Sequence, residues 1–143
     1  MNRRIVALAL VVGWTSVAGA EQGELWEVTQ KMEMPGMPMA MPASTVKVCL
    51  PKGGESDPRQ SMRDPQSKCE ITDLVAKGDK TTWKVRCDQN GEIMTGSGEV
   101  TSSPSAYQGV MHLVGNSGGM AINMTQHYQG KKIGGSCTPE KAQ

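Results

Sequence analysis

Five methionines crowd one short stretch of the chain: Met32, Met34, Met37, Met39 and Met41, interleaved with Pro35, Gly36 and Pro38 and followed by Pro42. A thioether sulfur is a soft donor that carries no proton to lose, so it suits Cu(I) or Ag(I) and discriminates against Zn and Mg. The prolines hold such a segment extended. Met34, Met37, Met39 and Met41 are therefore the candidate ligands for a soft monovalent metal. The same atoms support three other readings. Met32 and Met34 can continue the apolar face of a strand, with the others as flexible filler. Exposed thioethers can take up oxidant reversibly as sulfoxides. A methionine-rich surface can also mould itself to a peptide or lipid partner.

Cys49, Cys69, Cys87 and Cys137 form the second set. None falls in a C-x-x-C pair, which argues against a zinc site and against a dithiol redox centre. An even number of widely spaced cysteines in an exported domain reads as two disulfides, with three pairings open. His112 and His127 are the two histidines. Alternation places both on the polar side of their strands, and two imidazoles without a third ligand make a weak metal site. Asp73 falls on the apolar side of its strand by the same count, but a single carboxylate is not a glycosidase pair. H-E-x-x-H and the phosphate-binding loop are missing from the sequence. The expectation is a non-catalytic protein with no cofactor beyond a soft metal ion.

The elements that carry these residues are strands. Apolar residues recur with period two between Gly, Asn, Asp and Pro, and no long stretch shows helical spacing. Eight strands are expected, over 24–34, 44–50, 69–77, 80–87, 92–102, 106–114, 119–128 and 131–137, with turns at Gly78-Asp79, Asn90-Gly91 and Gln129-Gly130. Trp26, Val28, Met32 and Met34 share one face, as do Met94, Gly96, Gly98 and Val100. Residues 34–42 and 51–68 read as loops, the second long, polar and irregular. Short turns make neighbouring strands antiparallel, so the fold class is all-β: an up-and-down meander closing into a small barrel or a strongly curved sheet. Counting reversals along eight strands brings all four thiols to one rim. Cys49–Cys69 is then the nearest pair, leaving Cys87–Cys137, although Cys69 and Cys87 also stand almost opposite in one hairpin.

The first twenty residues have the form of a secretory leader. Arg3 and Arg4 precede an apolar run from Ile5 to Trp14, and Ala18-Gly19-Ala20 supplies the small-x-small cleavage pattern. The run is too short to span a bilayer, and no later segment is apolar enough to do so. Removing residues 1–20 takes away two arginines and no acid, which turns a formal charge of +1 into −1. That balance, with basic residues scattered, gives no general attraction to nucleic acid or anionic lipid. A single β-domain is expected over 21–137, with a short flexible tail at 138–143. It has no phenylalanine, and Trp26, Trp83, Tyr107 and Tyr128 are its aromatic residues. A core so poor in large rigid side chains needs the crosslinks.

Six segments taken together carry a resemblance. They are Gly23-Glu24-Leu25-Trp26-Glu27-Val28-Thr29, Met32-Glu33-Met34-Pro35-Gly36-Met37-Pro38, Cys49, Thr82-Trp83-Lys84-Val85-Arg86-Cys87, Thr95-Gly96-Ser97-Gly98-Glu99-Val100 and Ile133-Gly134-Gly135-Ser136-Cys137. In this order they resemble the bacterial domain-of-unknown-function family 3617, short exported proteins. The resemblance implies a periplasmic location and a shared architecture; it implies no activity and assigns no catalytic residue. Three functions from different classes are carried forward. The first is binding of an apolar small molecule or an envelope component, the second is soft-metal binding through the methionine loop, and the third is a structural interaction within the envelope.

Overall fold

Alternating apolar and polar residues between turn-forming residues bury one face of each strand and wet the other. In the computed structural model, which describes residues 22–36, 41–61 and 68–139, this pattern gives one seven-stranded sheet. Its strands are β1 (Gly23–Glu33), β2 (Ser44–Pro51), β3 (Lys68–Lys77), β4 (Lys80–Gln89), β5 (Glu92–Ser102), β6 (Ala106–Ser117) and β7 (Met120–Cys137). A 3-10 turn, Gly54–Ser56, and a single helical turn, α1 (Pro58–Ser61), lie between β2 and β3. The spatial order is β2-β1-β7-β6-β5-β4-β3, and every neighbouring pair is antiparallel. β2 and β3 are the two edges, so the sheet is curled but not closed.

The strand count is seven, not eight, because the turn expected at Gln129-Gly130 does not form: β7 runs unbroken for 18 residues. Gly130 instead stands between Val28 of β1 and Tyr107 of β6 in the register. Losing one reversal changes the direction of everything counted across it. β2 and β3 therefore run the same way at opposite edges, so the end of β2 and the start of β3 lie at opposite ends of the sheet. The thiols consequently fall at two ends rather than at one rim. The disulfides are Cys49–Cys137 and Cys69–Cys87, which corrects the Cys49–Cys69 and Cys87–Cys137 pairing.

The two crosslinks do different things. Cys69 and Cys87 are direct cross-strand partners in the β3–β4 hairpin. Cys49 and Cys137 lie on β2 and β7, with β1 between them, opposite Leu25 and Gly23 respectively. In a flat sheet strands flanking a third are about 9.6 Å apart, yet these Cα atoms are 5.9 Å apart. Two extra residues of β7, Ile133 and Gly135, bulge against β1, and such bulges bend a strand and sharpen its twist. Gly23 completes the arrangement. A Cβ there would come within 2.7 Å of Cys49 Sγ and 2.6 Å of the Leu50 carbonyl oxygen.

The core lies on the concave face and consists of Trp26, Val28, Trp83, Val85, Cys87, Val100, Tyr107 and Leu113. Three of the four aromatic rings lie across a glycine directly opposite on the next strand: Trp83 over Gly98, Tyr107 over Gly130 and Tyr128 over Gly109. A Cβ at any of these glycines would strike the ring. The glycines thus supply the room that a large ring needs inside a tightly curled sheet. Asp73 departs from the alternation expected of it. A register shift between Thr72 and Val75 gives it φ of +51°, and its exposed carboxylate pairs with Lys84 Nζ at 3.0 Å instead of facing the core.

Gly98→Ala should cost about 1–3 kcal/mol by overpacking, whereas Gly134→Ala, whose Cβ would meet only Leu25 Cδ2 at 3.9 Å, should stay within about 0.5 kcal/mol; urea unfolding of the two variants measures the difference. The links close sequence separations of 88 and 18 residues. Replacing Cys49 and Cys137 by serine should therefore cost about 4–5 kcal/mol and replacing Cys69 and Cys87 about 3 kcal/mol in the chain-entropy model. The reverse ranking in denaturant midpoints would contradict this account.

Candidate functional site

Curling the sheet while leaving it open produces a trough, and the β2–β3 connection roofs it. Gly53, at φ +77°, turns the chain back after β2. Gly54 and Pro58 then become buried, and the 54–56 turn touches both β2 and β5. A partly open cavity of about 620 Å³ lies beneath. Its floor is apolar and aromatic, with Val28, Trp83, Val100, Tyr107, Met111 and Tyr128. Leu25, Val48 and Leu50 form a wall, and Gly54, Glu55, Pro58 and Gln60 form the roof. Thr138 and Pro139, which follow β7, complete the rim. Residues from β2 and β4, second from the ends of the strand order or at its edge, meet around one volume only because the sheet curls.

A few polar groups are placed on this apolar surface. Gln126 Nε2 donates to Gln30 Oε1 at 2.7 Å, so these two amides satisfy one another on the wall. The Trp26 and Tyr107 rings are 5.3 Å apart and tilted, and Tyr128 is 6.2 Å beyond Tyr107. Lys132 Nζ stands 5.5 Å from the Trp26 ring and 3.0 Å from Glu24 Oε1, a cation held by both a carboxylate and a π face. Tyr128 donates its hydroxyl to the Glu99 carbonyl at 3.3 Å. Burial, and to a lesser degree the negative charge of Glu55, push the Tyr107 hydroxyl up to about 12. Burial, then Tyr107 and Glu99, push Tyr128 in the same direction. Three buried polar atoms among the described residues have no hydrogen-bond partner: Trp26 Nε1, Trp83 Nε1 and Glu55 Oε2.

The outer, convex face holds the histidines. His112 Nδ1 is 3.0 Å from Thr125 Oγ1, and His127 Nε2 is 3.9 Å from Glu33 Oε2. Their cross-strand partners are Thr125 and Val110, so the register does not set the two rings opposite one another. No group of three His, Cys, Asp or Glu side chains with metal-binding geometry occurs among the described residues. A shallow depression beside them is lined by Asp73, Lys84, Glu99 and His112. Its charges are already spent: Lys84 pairs with Asp73, and Lys80 pairs with Glu99 at 2.8 Å.

Of the proposed thioether ligands, Met34 is half-buried just after β1 and Met41 is 39% exposed just before β2; Met37 and Met39 lie outside the described residues. Met111, which was not among the candidates, is the methionine that lines the cavity among the described residues. Glu55, Gln30 and Gln126 were also missed. Gln30 and Gln126 read as polar positions on alternating strands, and nothing local marks them as cavity residues. Glu55 lies in the segment read as an irregular polar loop, where Gly53-Gly54 and Pro58 were the only hints of a defined turn.

Both tyrosines favour the neutral form when folded, so the unfolded chain releases these protons first as pH rises. Stability is fully present below about pH 10, the unfolded tyrosine value, and falls between there and pH 12. Tyrosinate absorbance should therefore stay low in the folded protein at pH 10–11, and Glu55→Gln should lower the Tyr107 midpoint. Ordinary titration of both rings near pH 10 in the folded state would refute the burial described here.

Two comparisons return nothing: no curated protein and no solved structure matches the chain. A family model does match, over residues 21–137, and its description is "Protein of unknown function (DUF3617)". The segments spanning Gly23–Thr29 to Ile133–Cys137 that carried the resemblance all lie within that match, and the chain belongs to the DUF3617 family.

Proposed function

We propose that the domain is a non-catalytic binding protein for an apolar small molecule, which it holds in the concave trough beneath the 54–61 crossing segment. The observation that carries this reading is the cavity of about 620 Å³. Pockets for small ligands typically span about 300–1,000 Å³, with mostly apolar walls and a few fixed polar groups. Here Trp83, Val100, Tyr107, Met111 and Tyr128 supply the apolar surface, and the Gln30–Gln126 pair and Glu55 supply the polar points. A well-packed sheet has no reason to keep such a space, since each void forfeits dispersion contacts along its lining. The floor has its rings wedged over glycines, and the roof is a short segment whose 54–56 turn is seated against β2 and β5.

Two disulfides and the leader-like first twenty residues support an oxidising, exported setting, which in a bacterium is the periplasm. Such a protein would shield an apolar compound from water while it is outside the membrane.

The neutral dye N-phenyl-1-naphthylamine should bind the disulfide-bonded protein saturably, with one site per chain. Val48→Trp or Met111→Trp, each filling the trough from a different strand, should weaken the dye on the order of tenfold or more. Val114→Lys, on the convex face where Val114 is 49% exposed, should leave dye binding unchanged. Retention of dye affinity by both filling variants, with native circular dichroism and intact disulfides, would show that the trough is not the site.

A further inference from the structure

The methionines that the fold brings together differ from those that are neighbours along the chain. We propose that Met32, Met34, Met111 and Met124 form a binding site for a soft monovalent cation, Cu(I) or Ag(I), on the concave face of the sheet. The site is distinct from the loop methionines, and it does not rest on the trough being a small-molecule site.

Strand register sets the arrangement. Gln126 of β7 is the direct cross-strand partner of both Met32 of β1 and Met111 of β6. Direct partners project from the same face, and Gln126 and Met111 both line the trough. Met32 therefore lies on the concave side as well. Met124 is two residues before Gln126 on β7, shares its face by alternation and stands opposite the core residue Leu113. Met34 follows Met32 by two residues, just past the end of β1. The Glu33–Thr125 pairing carries it to the level of Met124. Four thioether side chains thus surround one amide on one face. In a flat sheet β1 and β6, which flank β7, would be about 9.6 Å apart. Curling turns their concave side chains towards one another, and an unbranched side chain with three rotatable bonds spans what is left.

Burial separates this group from packing filler. A gap-filling methionine belongs in the interior, yet none of the eight residues of the buried core is a methionine. Met32, Met34, Met111 and Met124 are all half-buried, at the margin between packed core and solvent where an ion can reach them. The surrounding chemistry is soft and neutral. The residues beside them on this face are Gln30, Gln126, Leu113, Ile122, Gly98 and Gly109, and none of these ionises. Gln30 and Gln126 are hydrogen-bonded to one another. Glu33 alternates onto the other face, where it pairs with Lys31. Thioethers with no carboxylate or imidazole among them suit Cu(I) or Ag(I) and discriminate against Zn and Mg.

The test uses mature, oxidised protein labelled with carbon-13 in its methionine methyl groups and titrated with Ag(I) in chloride-free buffer. An equimolar amount of Ag(I) should shift the methyl resonances of Met32, Met34, Met111 and Met124 together. It should also quench the fluorescence of Trp83, whose ring lies over Gly98, the residue opposite Met111. The methyl of Met120, 68% exposed at the start of β7, should stay in place, and Zn(II) should shift none of them. Met32→Leu combined with Met124→Leu is a near-isosteric exchange that the fold should tolerate. It should weaken Ag(I) about tenfold or more, since even outer-shell partners of a metal are worth about 10–100-fold in affinity. Met37→Leu, Met39→Leu and Met41→Leu together should leave the affinity unchanged. Val48→Trp, which fills the trough from β2, should keep Ag(I) binding while losing the dye, so the two readings fail separately. Shifts confined to Met37, Met39 and Met41, or loss of binding in the loop variant alone, overturn the inference. So do an equal response to Zn(II) and an absence of methyl shifts at excess Ag(I), which would leave the four side chains as apolar packing.

Discussion

Large rings on the inside of a tightly curled sheet need somewhere to lie, and everything else in this domain follows from how that room is made. Side chains on a concave face converge, so a glycine beside a Trp or Tyr relieves the crowding on one side of the ring. Trp83, Tyr107 and Tyr128 gain this relief by lying over Gly98, Gly130 and Gly109. The missing side chains do not weaken the sheet as glycines in a strand otherwise would, because the ring covers the exposed backbone and its burial contributes about 3 kcal/mol or more. A chain without phenylalanine thereby builds a core from a handful of rings and the spaces matched to them.

The curl is then locked at one end. The Cys49–Cys137 bond reaches across β1, which is feasible only because β7 bulges twice and β1 contributes Gly23 at the crossing. The same bond anchors β2, an edge strand that carries one wall of the trough. The other disulfide fastens β3 to β4 at the far end and protects the opposite edge. The sheet therefore stays curled without closing, and the 54–56 turn packs over its concave side against β2 and β5. Cavity and roof are consequences of an incomplete closure rather than separate inventions.

This division also explains why the chemistry first visible along the chain is not the chemistry that the fold assembles. The methionine cluster stands out because its residues are adjacent in sequence. The trough draws on β1, β2, β4, β5, β6 and β7 and on a short crossing segment, so its residues are scattered from Leu25 to Pro139. Met111, Gln30 and Gln126 meet there through register, and register is a property of pairs of strands rather than of any one of them.

Local pattern was enough for much of the fold. Period-two alternation and the Gly78-Asp79 and Asn90-Gly91 turns fixed the hairpins through β5, the antiparallel sense and the buried faces of β4 and β5, because these depend on residues a few positions apart. The even cysteine count likewise announced two crosslinks. What local pattern could not decide was whether Gly130 is a turn or a gap. The residue is the same in both cases, and the choice turns on Tyr107, which lies more than twenty positions away and needs the space. That single choice set the number of strands, the direction of the β2–β3 connection, the partner of each cysteine and the existence of a roofed trough. Those features belong to the tertiary structure because each is settled by a contact between segments that the chain brings together only after it has folded.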